Sequence, residues 1–180
     1  ARALRTWVVC GFVERAADRL FNSALVLDPA GERRFVYRKT CLYELDEIWA
    51  APGDSGYSTF DTDHGDFAVG ICMDLNDPAF VDWLGRARPR ALAFPTNWLD
   101  EGTDVRPYWA WRLDGVGTSL VAANTWGRER GHGFRGESAI LQPSLPDADG
   151  PPWWLLASGD REGDQILRAR LRGANATRPG

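Results

Sequence analysis

The sequence predicts an α/β fold, in which helices pack on the faces of a largely buried sheet. Three observations carry that expectation. Short apolar runs bounded by turn residues recur at 6–12, 66–72, 91–95 and 120–124; two longer helix-like segments, opening at Pro78 and Arg106, separate the last three of them; and 180 residues with 44% hydrophobic content can bury one sizeable core. Strand, helix, strand, helix, strand is the order that builds βαβ units.

Each element follows from its residues. TWVVCGF (6–12) reads as a buried strand with Cys10 in the core, and NSALVLDPAGERRFVYRK (22–39) as two strands joined by a turn at Asp28, Pro29, Ala30 and Gly31. The second of these ends at Lys39. DFAVGIC (66–72) is a short buried strand with Cys72 at its carboxyl end, and Asp77 and Pro78 supply the cap and first position of a helix running to about Ala87. ALAFP (91–95) and LVAAN (120–124) are strands flanking a helix from Arg106 to about Thr118. Within that helix Trp109 and Arg112 fall three apart on one face, a pattern for core or subunit contact. ESAILQ (137–142), WWLLAS (153–158) and QILRARL (165–171) read as further strands. The prolines, aspartates and glycine of 143–152 make a surface loop, and 173–180 should fray. No repeat and no linker divides the chain into two cores.

Composition narrows the function. A net charge of −4 argues against a broad basic face for nucleic acid or anionic membrane, which leaves small molecules or peptides as partners. No apolar run approaches the roughly 20 residues that span a bilayer, and the first residues hold no apolar signal core, so a cytoplasmic protein is expected. Cys10, Cys41 and Cys72 lack the close pairing of a zinc or redox motif, so no metal is expected and at least one thiol is free. The chain starts without Met and enters a strand within a few residues, which reads as a piece of a longer protein. Lys39 is the only lysine among 21 basic residues. Where a charge alone is needed this chain uses arginine, so the one amine marks a position that needs a compact donor.

Cys72 is the candidate nucleophile. Apolar FAVGI gives way at once to polar MDLND, which places the thiol on a strand-to-helix elbow with the Met73 N–H beside it to hold an oxyanion. A thiol of ordinary pKa needs a base or a cation. His64 and His132, both in glycine- and charge-rich turns, do not fit that role. Lys39 with a carboxylate from the stretch after it does: Glu47 lies within YRKTCLYELDEIWAAPGD, whereas Glu44 and Asp46 read as a solvated acidic face. Asn97 and Trp98, after the strand at 91–95, either line the substrate pocket or pack the loop. Gly131, Gly133 and Gly136 precede a strand and make no phosphate loop.

The ordered stretches VYRKTCLYELDE, PGD, FDTDHGDFAVGICMDLNDPAF, AFPTNW, RLDGVGTSLVAANTWG and GFRGESAIL resemble the landmarks of the nitrilase superfamily of carbon-nitrogen hydrolases. The form GICMDLN is most similar to the branch with protein N-terminal asparagine amidohydrolases. The resemblance implies an α-β-β-α sandwich, here lacking its first strand-helix unit, over residues 1–172, and sheet-to-sheet pairing in a homodimer or larger homo-oligomer. It implies a Glu-Lys-Cys triad: Cys72 as nucleophile, Lys39 as the oxyanion's lysine, and Glu47 as the second glutamate that positions substrate. The general-base glutamate has no counterpart in the chain, since Glu14 sits on the wrong segment. Relatives with Phe-Pro-Glu shortly after the cysteine have Asp77, Pro78 and Ala79 here. The implied reaction is hydrolysis of a linear amide, in a small molecule or at a peptide's N-terminal residue, through a Cys thioester and without metal or organic cofactor. An acyltransferase using the same thioester, and an inactive member serving as an interaction module, are the alternatives.

Overall fold

The computed structural model describes residues 1–144 and 151–172. The chain opens with three antiparallel strands, β1 (Val8–Ala16), β2 (Arg19–Leu27) and β3 (Arg33–Arg38), in the order β1-β2-β3. The β1–β2 hairpin is tight, with Ala16 opposite Arg19, and the sequence reading missed it because no Gly, Pro or Asn marks the turn. The β2–β3 turn is the expected one. The Asp28 carboxylate accepts from the N–H of Ala30 (2.9 Å) and Glu32 (3.0 Å), and the Gly31 N–H donates to the Asp28 carbonyl (2.8 Å). β3 stops at Arg38, so Lys39 begins the loop into a short helix, α1 (Glu44–Glu47).

The rest builds a second, six-stranded sheet. Its members in chain order are β4 (Thr59–Phe60), β5 (Phe67–Val69), α2 (Pro78–Ala87), β6 (Ala91–Thr96), α3 (Arg106–Arg112) and β7 (Ser119–Asn124); a separate hairpin of β8 (Trp126–Glu129) and β9 (His132–Arg135); then β10 (Ala139–Pro143) and β11 (Trp153–Ser158). The spatial order is β11-β10-β7-β6-β5-β4, with β5, β6 and β7 parallel, as connections through α2 and α3 require.

Two apolar cores hold three layers together. Ala24, Val26 and Tyr37 of the first sheet meet Phe60, Val69 and Ile71 of the second. On the second sheet's other face, Phe80 and Leu84 of α2 and Trp109 of α3 lie over Leu92, Phe94 and Leu120. Trp109 is thus a core residue, whereas Trp111 stands exposed. Gly70 permits this packing, because a Cβ there would fall 2.5 Å from a ring carbon of Phe80. The layers run sheet, sheet, helix, which is three of the four in the expected sandwich. Among the described residues no helix covers the outer face of β1–β3.

Several expectations change. The segment 165–171 forms no strand; its end is held by side chains, with the Leu171 carbonyl accepting from Arg90 (3.0 Å) and the Gln142 side chain exchanging two hydrogen bonds of 3.0 Å with the backbone of Arg172 next to it. The helix from Arg106 ends at Arg112, six residues early, where 113–116 fold into a turn. Cys10 is exposed rather than in the core, since β1 is an edge strand and this residue faces away from the second sheet. Residues 145–150 of the expected loop and the tail at 173–180 lie outside the described residues.

Candidate active site

Cys72 sits where β5 has ended and the chain turns toward α2. Gly70 and Ile71 lead out of the strand, and residues Cys72–Asn76 wind into one 3₁₀ turn, so the elbow is present but begins three residues beyond the strand. The backbone of Cys72 has φ +46°. A non-glycine residue in the left-handed region carries strain, and the surrounding structure must hold it there. The Asp77 carboxylate then caps α2 through the Ala79 N–H (2.9 Å) and accepts from the Tyr57 hydroxyl (2.9 Å), with Pro78 in the first turn as expected. Cys72 itself is partly buried.

Lys39 is 2% exposed, although it lies on a loop. Its N–H donates to the Asn22 carbonyl (2.8 Å) and its carbonyl accepts from the Gly53 N–H (2.8 Å). The chain approaches so closely at Gly53 that a Cβ would meet the Arg38 carbonyl oxygen at 2.1 Å. The ammonium of Lys39 is paired with the carboxylate of Asp46, which also accepts from the Asn22 side chain (3.1 Å) and the Tyr43 N–H (3.1 Å).

The acid beside the lysine is therefore Asp46, 9% exposed, and not Glu47. Glu47 and Glu44 both lie exposed on α1. The reason is local. Asp46 is the third residue of the helix, and its side chain reaches back to the N–H of the capping Tyr43, which turns the carboxylate inward toward Lys39. An acid three residues after a cap is a recognisable spacing, but Tyr43 is not a residue type that marks a cap, so the sequence does not separate Asp46 from its exposed neighbours.

Two adjoining cavities meet at Cys72. One, of 360 Å³, is lined by Lys39, Asp46, Cys72 and Asn22, with Phe12 and Val13 of β1 at its side. The other, of 410 Å³, is lined by Cys72, Met73, Asn76, Trp98 and Tyr108. Tyr43, Asn97 and Leu99 border both. Lys39 is the only cation among the residues lining either one. Trp98 lines the cavity, and its ring packs on those of Tyr108 and Trp109, each with centroids 5.7 Å apart. The Tyr108 hydroxyl donates to the Asn76 side chain (2.8 Å). His64 and His132 are exposed and line neither cavity.

The other ionisable groups nearby are committed elsewhere. Glu14 accepts from the Arg38 guanidinium (2.7 and 2.9 Å) and from Ser23 (2.8 Å), and Arg38 holds its carboxyl below the usual range. Burial pushes the Cys41 thiol up, and the nearby Asp74 adds to the effect, which disfavours its thiolate. Asp104 accepts from Arg106 through three bonds of 2.8–2.9 Å. No helix among the described residues is long and apolar enough to cross a membrane, and no group of three His, Cys, Asp or Glu among them is placed to hold a metal.

A sandwich of sheets, with a cysteine held at positive φ and a buried lysine lining the same cavity, defines a thiol-bearing α/β protein. The chain belongs to the carbon-nitrogen hydrolase family, whose model matches residues 1–157. It is 28% identical to an N-carbamoylputrescine amidase of Solanum tuberosum over 95% of this chain and 61% of that protein. It is 32% identical to a nitrilase of Pyrococcus abyssi over 79% of this chain and 53% of that protein. A protein N-terminal amidase of Saccharomyces cerevisiae matches at 36% over 42% of the chain. The chain thus spans about three fifths of the length of the N-carbamoylputrescine amidases it matches, and the match to the N-terminal amidase covers 21% of that protein. Its fold is also that of an amidase from a Nesterenkonia species, with a TM-score of 0.76 and 21% identity over 89% of this chain and 59% of that one.

Proposed function

We propose that the protein hydrolyses a linear amide, with Cys72 as the nucleophile and Lys39 as the donor that holds the oxyanion. The observation that carries this reading is the pairing of two unusual residues on one cavity: the sole lysine, buried and charge-paired, and a cysteine held at positive φ. Sγ attacks the carbonyl carbon, and the developing negative charge on oxygen is met by the Lys39 ammonium and the Met73 N–H. The carbon-nitrogen bond breaks, the amine leaves with a proton, and water then cleaves the thioester. Asp46, paired with the lysine, aims it.

The thiol proton goes to the glutamate base implied by family membership, which the proposal places outside residues 1–180. Among the carboxylates lining the two cavities, Asp46 is committed to Lys39 and Asp104 to Arg106, while Glu101 is exposed. The substrate class is that of small amides or the N-terminal residue of a peptide. It is supported by relatives named as N-carbamoylputrescine and N-terminal amidases and by a structural neighbour in complex with butyramide.

An activated ester tests the chemistry without a base to protonate the leaving group. With p-nitrophenyl butyrate the chain should release a burst of one p-nitrophenolate per Cys72, absent in Cys72→Ala and intact in Cys10→Ala. A burst that survives Cys72→Ala overturns the assignment.

A further inference from the structure

Asp74 is a carboxylate that the proposed chemistry does not use. It is fully buried, at 0% exposure, and its two oxygens accept five hydrogen bonds. Oδ1 takes the N–H of Thr40 (3.0 Å), the hydroxyl of Thr40 (3.0 Å) and the N–H of Cys41 (2.9 Å); Oδ2 takes the hydroxyl of Tyr37 (2.9 Å) and the N–H of Ile71 (2.8 Å). These donors are distributed in a telling way. Thr40 and Cys41 directly follow Lys39, and Ile71 directly precedes Cys72. Lys39 follows β3 of the first sheet and Cys72 follows β5 of the second, and among the described residues the hydrogen bonds joining 39–41 to 70–74 all run through this carboxylate.

We propose that Asp74 is a positioning residue, whose carboxylate clamps the loop carrying Lys39 to the turn carrying Cys72 and thereby fixes the gap between amine and thiol. The inference rests on the reading of Cys72 as nucleophile and Lys39 as oxyanion donor. Three of the five donors are backbone N–H groups, of Thr40, Cys41 and Ile71, which can only donate, and the two carboxyl oxygens offer about four lone-pair sites to them and the two hydroxyls. Burial pushes the Asp74 carboxyl up, while the donors from Cys41, Ile71, Tyr37 and Thr40 pull it down. An asparagine would present one acceptor and turn its own N–H groups toward donors, so at least one backbone N–H would lose its partner. Two of the affected N–H groups belong to residues adjoining the reacting pair.

A clamp of this kind acts through the gap between Lys39 and Cys72, and that separates it from a merely structural residue. The burst rate with p-nitrophenyl butyrate is measured for Asp74→Asn with and without Lys39→Met, on samples whose thermal unfolding shows them folded. In that reaction the Sγ–C bond forms, the C–O bond to p-nitrophenolate breaks, and the thiol proton passes to water. With Lys39 present, Asp74→Asn should slow the burst about 100-fold at an unchanged half-saturating ester concentration, as a misplacement of the order of 1 Å does. In the Lys39→Met background the same substitution should cost less than about threefold, since there is no amine left to misplace. Equal losses in both backgrounds, or a burst within about threefold of the parent when Lys39 is present, overturn the proposal. If Asp74→Asn does not fold, Thr40→Val removes one donor and is measured in the same two backgrounds. It should slow the burst about tenfold only where Lys39 is present, and a rate within twofold of the parent there overturns the proposal. Cys72→Ala keeps the two readings apart: with its burst lost and that of Asp74→Asn normal, only the clamp fails.

Discussion

Asp46 and Glu47 are adjacent acids, and the structure assigns them opposite consequences. Asp46→Ala removes the one charge partner, among the described residues, of an ammonium that is 2% exposed, and it also strips acceptors from the Asn22 side chain and the Tyr43 N–H. Breaking one side of a buried ion pair costs roughly 3–5 kcal/mol, because the remaining charge stays buried without compensation. In a chain of this size each kcal/mol moves Tm by about 2–4 °C, so the fall should be roughly 6–20 °C. Glu47→Ala touches an exposed side chain and should stay within about 0.5 kcal/mol, or roughly 2 °C. Differential scanning calorimetry, or urea unfolding followed by far-UV circular dichroism, measures both. Lys39→Met combined with Asp46→Leu is the decisive control, since it removes both charges and should recover most of the loss. A drop for Asp46→Ala of less than about 3 °C, or an equal drop for Glu47→Ala, would refute the argument that the buried pair organises this loop.

Three other outcomes follow from the same geometry. Cys72→Gly should abolish the ester burst while leaving stability unchanged or raised by up to about 1 kcal/mol, because glycine adopts φ +46° without strain; a loss of more than about 1 kcal/mol contradicts it. Gly70→Ala should lower stability by about 1–3 kcal/mol in urea unfolding, since its Cβ meets the Phe80 ring at 2.5 Å, and Phe80→Leu in the same chain should restore part of the loss. Glu14, held by Arg38 below its ordinary value near 4.5, contributes stability that is fully present above that pH and disappears as pH falls through its lowered value. The urea midpoint of the parent should therefore fall more steeply from pH 6 to pH 3 than that of Glu14→Gln, and parallel curves would argue against the pairing.

Much of the site is legible in the residues, and the parts that are not have physical causes. The elbow at Cys72 shows in the abrupt change from apolar strand to MDLND, and the bounds of α2 show in Asp77 and Pro78, because caps are local chemistry. Lys39 stands out by composition alone. What the sequence hides is direction. Whether Asp46 or Glu47 turns inward depends on one side chain's bond to the Tyr43 N–H, which a run of three acids in four residues does not reveal. The clamp at Asp74 is hidden for the same reason: its partners lie 30 or more residues away in sequence, apart from Ile71. Cys10 has the neighbours of a core residue, yet an edge strand leaves it exposed. Residues 165–171 alternate like a strand, but pairing needs a partner edge, and tertiary context decides that.

Competition between Cys10 and Cys72 for fluoroacetamide separates an attacking thiol from one that is merely exposed. Fluoroacetamide adds to the active-site cysteine of a point mutant of the Nesterenkonia amidase, a structural neighbour of this chain. Exposure alone favours Cys10, which is open to solvent, over the partly buried Cys72. If Lys39 and the elbow form an amide-binding site around an attacking thiol, peptide mass mapping after limited reaction should find the acetamide group on Cys72, with Cys10 unmodified and the Cys72 adduct strongly reduced in Lys39→Met. An adduct on Cys10 with Cys72 left free, or a Cys72 adduct indifferent to Lys39, would contradict the account.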